Sequence, residues 1–364
     1  MPQALAPDDI IRRHGDAAEG ARPPLVVIEP LAEMLAAHGL GDGDPAELSV
    51  EPVGEGHSNV TLAVSSAGRE VILRRPPRGP LPPSAHDVLR EARLLRALEG
   101  TAVRAPRVIF TCEDQAPMGA PFYLMERVPG EVITDVMPPA LDGVVERRRV
   151  ADELIDALVE LHDVDWMAAG LEGFGKPTGY LERQLRRFGG LWEHNRTREL
   201  PAVERVGAWL ADHLPDSPPA TIVHGDYRLG NTLFAAEAPA RLTAILDWEM
   251  ATIGDPLADL GYLLMFWAQD GDPPSGRFDL QGVTRLPGFP TRAEIIARYE
   301  ERSGRSMQAL NWYLTLALWK SVVFMEGNYR RAIAGSTDDP YLKSFGDAVV
   351  ALAQRALEVS RNGF

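Results

Sequence analysis

The segment His224-Gly225-Asp226-Tyr227-Arg228-Leu229-Gly230-Asn231 sets a carboxylate and a carboxamide five positions apart, and Asp247-Trp248-Glu249 follows the apolar, strand-like run Leu242-Thr243-Ala244-Ile245-Leu246. Phosphoryl transfer asks little of a protein's side chains, because positioning and charge neutralisation do most of the work. One carboxylate accepts a hydrogen bond from the attacking hydroxyl, while an Asn and a second carboxylate hold Mg²⁺ on the phosphates. Asp226, Asn231 and Asp247 can supply that set. Taken singly, H-G-D is an ordinary turn and D-W-E an ordinary strand end; their order and spacing carry the chemistry.

Asp226 and Asn231 have the spacing of the Asp and Asn in the kinase catalytic loop H-R-D-x-x-x-x-N. With Ile245-Leu246-Asp247-Trp248-Glu249 and Gly254-Asp255-Pro256-Leu257-Ala258-Asp259-Leu260, the segment resembles the aminoglycoside phosphotransferase and choline kinase-like family, whose members look like protein kinases but phosphorylate small molecules. The resemblance implies ATP as donor, Asp226 as catalytic base and Asn231 with Asp247 as Mg²⁺ ligands. It implies that His224 braces the loop and that Asp259 supports it through hydrogen bonds. Asp255-Pro256 otherwise reads as a helix cap followed by Pro at the first helical position.

These residues need a scaffold, and the first half of the chain carries strand signals while the second carries mostly helix signals. Residues up to about Pro24 are polar and rich in Pro and Gly, as in a frayed segment, and a helix is predicted over 28–40. Three strands are predicted over 49–53, 59–65 and 70–75, a helix over 86–98, and two further strands over 108–111 and 122–128. Pro129-Gly130 marks a hinge, after which helices are predicted over 150–162, 292–302, 307–329 and 341–359. The expected fold is α+β and protein-kinase-like in two lobes: a small N-terminal antiparallel sheet lobe with one long helix, and a larger, mainly helical C-terminal lobe. Its parts are an N-terminal extension and helix (1–44), a nucleotide-binding lobe (45–129) and a helical lobe with catalytic loop and acceptor site (130–364).

The small lobe is where nucleotide is expected. Gly54-Glu55-Gly56-His57-Ser58-Asn59 lies between two predicted strands, so Gly54, Gly56, Ser58 and Asn59 are candidates to cover phosphates; alone, the segment is equally a hairpin turn. Where a kinase has the phosphate-binding Lys, Val71-Ile72-Leu73-Arg74-Arg75 offers arginine. Only Lys176, Lys320 and Lys343 are lysines among the 37 basic residues. Arginine keeps the charge and grips phosphate bidentately, but its fork is not a drop-in replacement for an ammonium. Strand alternation sends Arg74 and Arg75 to opposite faces, so one of them faces nucleotide, with Arg74 preferred. Glu91 on the next helix is the candidate ion-pair partner, and backbone groups near Glu126 and Val128 are candidates to read the base.

Composition narrows the class. The 364 residues exceed the size at which one core stops growing, which suits two lobes. A net charge of −15 argues against nucleic acid or an anionic membrane as partner. The single cysteine, Cys112, excludes an intrachain disulfide framework, and a reducing, cytoplasmic setting is expected. No run reads as an export signal or membrane span.

The acceptor is expected to be a small-molecule hydroxyl. Leu81-Pro82-Pro83-Ser84-Ala85-His86-Asp87, following Arg74-Arg75-Pro76-Pro77 and preceding Val88-Leu89-Arg90-Glu91, resembles the kinase-like domain fused to some acyl-CoA dehydrogenases, though the chain ends at Phe364 with no dehydrogenase domain expected. That resemblance implies a hydroxyacyl-CoA or related hydroxy acid as acceptor. Two other readings stand beside it: an antibiotic kinase, which would offer carboxylates to a polycationic drug, and a nucleotide-binding pseudokinase, which the presence of all three catalytic residues disfavours.

Overall fold

The computed structural model of the chain describes residues 5–17, 22–54, 59–79, 86–272, 282–335 and 340–363, and the chain divides into two compact units. The first comprises Met1–Thr101 and Ala105–Pro129; the second comprises Ala102–Arg104 and Gly130–Phe364.

In the first unit, β1 (Ile10–Ile11) pairs in parallel with β2 (Val26–Val27), and α1 (Ile28–Ala37) follows at once. This corrects the expectation of a frayed start. Ile10-Ile11 is too short a run to stand out from its polar surroundings, yet Leu25, Val26, Leu31 and Leu35 are core residues. The sheet is antiparallel and five-stranded, in the order β3 (Ser49–Pro52), β4 (Val60–Ser66), β5 (Arg69–Arg75), β7 (Phe122–Glu126), β6 (Val108–Cys112). Period-2 alternation puts Leu62, Val64, Val71, Leu73, Phe122 and Leu124 in one core with the N-terminal residues. Helix α2 (Val88–Leu98) packs against β6 and β7, and the Asp87 carboxylate caps it by accepting from the Arg90 N–H at 2.9 Å.

The second unit begins with β8 (Glu131–Val132) and α3 (Val144–His162), which starts a turn and a half earlier than predicted. Its first turns are a charged surface, in which Arg148 pairs with Asp152 and Arg149 with Glu146, so no apolar period announces them. Two helices escaped prediction altogether: α4 (Tyr180–Asn195) and α5 (Pro201–Asp212). There follow β9 (Thr221–Val223), β10 (Thr232–Phe234), β11 (Leu242–Ile245), β12 (Thr252–Gly254), α6 (Leu257–Phe266), α7 (Arg292–Ser303), α8 (Leu310–Ile333), α9 (Pro340–Lys343) and α10 (Phe345–Asn362). The last two replace the one helix predicted there. Helix α8 packs on both α6 and α10. The approach of α6 to α8 is close: a Cβ at Gly261 would lie 2.7 Å from the Tyr313 backbone, so only glycine fits. Among the described residues, no helix is long and apolar enough to cross a membrane.

Candidate active site

The loop from His224 to Asn231 is strung between β9 and β10, and two short antiparallel pairings hold its ends. Strand β9 pairs with β12 (Val223 opposite Thr252), and β10 pairs with β11 (Thr232 opposite Ile245). Gly225 sits at φ +87°, and a Cβ there would meet the Met250 carbonyl oxygen at 2.9 Å, which is why the H-G-D turn needs its glycine. Below the loop, the Tyr227 hydroxyl donates to the Leu154 carbonyl of α3 at 2.6 Å.

Asp259, on the first turn of α6 and fully buried, accepts the His224 N–H on Oδ2 at 2.6 Å and the Gly225 N–H on Oδ1 at 2.8 Å. A third contact comes from His162 Nε2, 3.3 Å from Oδ2. The Tyr299 hydroxyl lies 2.7 Å from His162 Nδ1, so Nε2 carries the imidazole proton and donates to the carboxylate while Nδ1 accepts. Burial outweighs the neighbouring carboxylate and lowers the His162 pKa. His224 itself spans the loop: Nδ1 accepts from the Asp226 N–H at 3.2 Å, and Nε2 donates to the Leu246 carbonyl at 2.9 Å. Asp255 accepts from the Leu257 N–H at 3.0 Å, as a cap would, but also from the Tyr313 hydroxyl at 2.7 Å, which ties α6 to α8.

At the end of the loop, Asn231 Nδ2 donates to Asp226 Oδ2 at 2.7 Å and to the Asp226 carbonyl at 2.8 Å. Arg228 Nε stands 3.6 Å from Asp226 Oδ1. The Asn231 carbonyl accepts from the Leu246 N–H at 2.8 Å, which brings Asp247 up beside the loop. Asp247 has φ 64° and ψ 62°, a left-handed conformation that costs a non-glycine residue about 1–2 kcal/mol. Strain of this kind gathers at functional sites. Because its Nδ2 is engaged by Asp226, Asn231 has its amide oxygen left to offer, and with the Asp247 carboxylate this gives two hard oxygen donors. That set fits Mg²⁺, which takes few protein ligands and fills its octahedron with water and phosphate. No cluster of three or more His, Cys, Asp or Glu side chains suited to a metal occurs among the described residues.

In the first unit, alternation along β5 separates the two arginines. Arg74 Nε lies 3.2 Å from Glu91 Oε2, with Thr61 Oγ1 3.3 Å from Nη1, and the Glu91 side chain is 2% exposed. Arg75 turns into the other face, where Nη1 donates to the Leu25 carbonyl and, at 3.0 Å, to the Met118 carbonyl. Burial, with a smaller push from Arg78, brings its pKa down to about 10. Asn59 is buried with Oδ1 3.2 Å from His86 Nδ1, so its side chain is engaged within the unit. Gly54 adopts φ +74° at the start of the β3–β4 connection; Gly56 and Ser58 lie outside the described residues. The Glu126 N–H donates to the Arg107 carbonyl at 3.0 Å, and its Oε1 accepts the Arg107 N–H at 3.0 Å, which leaves neither of these groups for a base; Val128 follows just beyond β7.

Three residues that sequence reasoning did not single out surround this site. Arg228 flanks Asp226. Tyr262 on α6 lies against it, its phenol pKa pushed well up by burial and then by Asp226. Lys320 on α8 shares a small pocket with Tyr262, Asp259 and the loop residue Gly225. Its rarity in a chain with three lysines was the one available signal.

The model of the phosphotransferase enzyme family matches residues 49–298. The chain is 35% identical over 339 residues to acyl-CoA dehydrogenase family member 10 of Mus musculus, covering 92% of this chain and 31% of that protein. It is 30% identical over 331 residues to acyl-CoA dehydrogenase family member 11 of Homo sapiens, covering 90% and 42%. The chain thus spans well under half the length of these curated relatives. A solved structure from Ralstonia eutropha, of a protein classed with the aminoglycoside phosphotransferases, is 30% identical with a TM-score of 0.77, covering 92% of this chain and 98% of that one. A thermostable mutant of aminoglycoside phosphotransferase APH(4)-Ia, in ternary complex with AMP-PNP and hygromycin B, shares the fold at 16% identity and a TM-score of 0.57, covering 92% and 98%.

Proposed function

Because this chain belongs to the phosphotransferase enzyme family and is a small-molecule phosphotransferase acting on hydroxyl groups, we propose that it transfers the γ-phosphate of ATP to the hydroxyl of a hydroxyacyl-CoA or a related hydroxy acid. The observation that carries the chemistry is the hydrogen bond from Asn231 Nδ2 to Asp226 Oδ2. It orients the carboxylate, whose Oδ1, flanked by Arg228 Nε at 3.6 Å, would face the acceptor hydroxyl, and the hydroxyl proton passes to Asp226 as the oxygen attacks the γ-phosphorus. Asn231 and Asp247 would hold Mg²⁺, which neutralises charge on the β- and γ-phosphates. Arg74, braced by Glu91, would grip phosphate oxygens. His224 and Asp259 keep the loop in register. The acyl side of the proposal draws on the likeness to acyl-CoA dehydrogenase family members 10 and 11 across most of this chain. A cytoplasmic setting suits the single, buried Cys112.

The test is acceptor-dependent ADP release by purified protein with ATP and Mg²⁺, across hydroxyacyl-CoA thioesters, free hydroxy acids, choline and aminoglycosides. We expect turnover with a thioester or hydroxy acid, abolished by chelation of the metal. A response to aminoglycosides alone would overturn the acceptor, and no metal-dependent ADP release with any of them would favour a pseudokinase.

A further inference from the structure

A cation with no ion pair and no hydrogen bond among the described residues lies next to the catalytic loop. On α8, Tyr313, Leu316, Ala317 and Lys320 fall on one stripe of the helix at three- and four-residue spacing, and all four line the pocket that Gly225, Asp259 and Tyr262 close from the other side. Tyr262 lies against Asp226, so the pocket reaches the catalytic carboxylate through one side chain. The Lys320 ammonium sits 4.9 Å from the centroid of the Phe188 ring. Among the described residues it makes no ion pair and no hydrogen bond; the Phe188 contact is its one specific interaction. Lys320 is only partly exposed, and burial, reinforced by Arg187, brings its pKa down to about 8, so it is still mostly charged at neutral pH.

A desolvated cation that opens onto a pocket, attracted by Asp226 and Asp259 but with neither carboxylate at ion-pair distance, is an incomplete ion pair. Holding it there costs free energy unless something negative completes it. Asp259 is already filled by three donors from His224, Gly225 and His162 and is not that partner. The acceptor is the molecule that must enter beside Asp226. Resting on the proposed reaction, we propose that Lys320 is a specificity-determining residue that pairs with a carboxylate of the acceptor, so that the preferred acceptor is a free hydroxy acid. An ammonium at this point also repels a polycationic aminoglycoside, and it gives a neutral thioester carbonyl a weaker hydrogen bond than a carboxylate receives.

The experiment uses the full chain with Mg-ATP and three matched acceptors: a short hydroxy acid, its CoA thioester, and the diol in which the carboxylate is reduced to an alcohol. Wild type should rank the acid above the diol. Lys320→Met should lower that preference about tenfold or more, through KM for the acid, and Lys320→Arg should restore part of it. Binding of the hydroxy acid, followed by calorimetry in the presence of AMP-PNP and Mg²⁺, should weaken in parallel, and circular dichroism establishes that each variant is folded. If Lys320→Met does not fold, Lys320→Gln carries the comparison. Unchanged acid affinity and unchanged acid-to-diol preference in a folded variant would overturn the proposal, as would a wild-type preference for the thioester that Lys320→Met leaves intact. If no acceptor is phosphorylated yet acid binding depends on Lys320, the reaction proposed above fails while this site stands.

Discussion

Asn231 reaches back five residues to place its Nδ2 2.7 Å from Asp226 Oδ2, so the candidate metal ligand also fixes the candidate base. The arrangement separates two roles that mutation can address one at a time. Asp226→Asn removes the proton acceptor and sets an amide against the Asn231 amide, with little change in volume. Turnover should fall about 10²–10⁴-fold, the usual contribution of a general base, while Mg-ATP affinity stays near wild type. Steady-state ADP release beside calorimetric titration of Mg-ATP checks this, and near-wild-type turnover would sink the assignment of Asp226.

Asp247 gives a different signature. Asp247→Ala removes an oxygen donor, so ATP affinity should drop in the presence of Mg²⁺ and change little in its absence, because the metal links protein to phosphates. The backbone adds a second expectation. At φ 64° alanine is strained and glycine is not, so Asp247→Gly should be more stable than Asp247→Ala by about 1 kcal/mol, read from thermal melts, although both lose the metal ligand. Equal stability of the two variants would show that the loop relaxes around residue 247.

How much of this was legible in sequence follows from range of interaction. Asp226, Asn231 and Asp247 sit in short segments with distinctive side chains, so their spacing, through its resemblance to the kinase catalytic loop, grouped them. The five-stranded sheet was readable for a similar reason, since alternation along Leu62–Val64, Val71–Leu73 and Phe122–Leu124 is a local signal. Helix α4 was not, because Glu182, Arg183, Arg186, Arg187 and the pair Gly189-Gly190 dilute its apolar stripe of Leu181, Phe188 and Trp192. Strand alternation placed Arg74 and Arg75 on opposite faces, but only the carbonyls of Leu25 and Met118, distant in the chain, show which face Arg75 takes. The meeting of Gly225, Tyr262 and Lys320 has no local signature at all, since it is made by the packing of α6 against α8.

The two arginines of β5 should respond in opposite ways to one conservative change. Removing Arg74 outright would take from the buried Glu91 carboxylate its ion-pair partner at 3.2 Å, a loss that confounds binding with stability. Arg74→Lys keeps a charge near Glu91 and loses the fork, so KM for ATP should rise several-fold with little change in melting temperature. Arg75→Lys cannot serve its several carbonyl acceptors. Each carbonyl left unsatisfied costs about 1–3 kcal/mol, so the melting temperature should fall while KM for ATP is unchanged. Thermal melts and ATP saturation curves on both variants decide it, and a rise in KM confined to Arg75→Lys would reverse the assignment.

His162 supplies a pH-dependent term to stability. Burial lowers its folded-state pKa below the unfolded value of about 6.5, so between the two pKa values the unfolded chain binds the proton more readily. The term is therefore fully favourable above about pH 6.5 and is lost as pH falls through the folded-state pKa, when the buried ring must either charge or release its contacts with Tyr299 and Asp259. Other groups also destabilise the protein in acid, including the Asp272 carboxylate held below its usual pKa by Arg292, so the informative quantity is a difference between proteins. His162→Gln keeps a donor and an acceptor but cannot titrate. It should be less stable than wild type at pH 7.5, and the gap should narrow as pH is lowered from about 6.5 to 5, measured as urea midpoints at each pH. A gap that stays constant across that range would mean that His162 does not change protonation on unfolding.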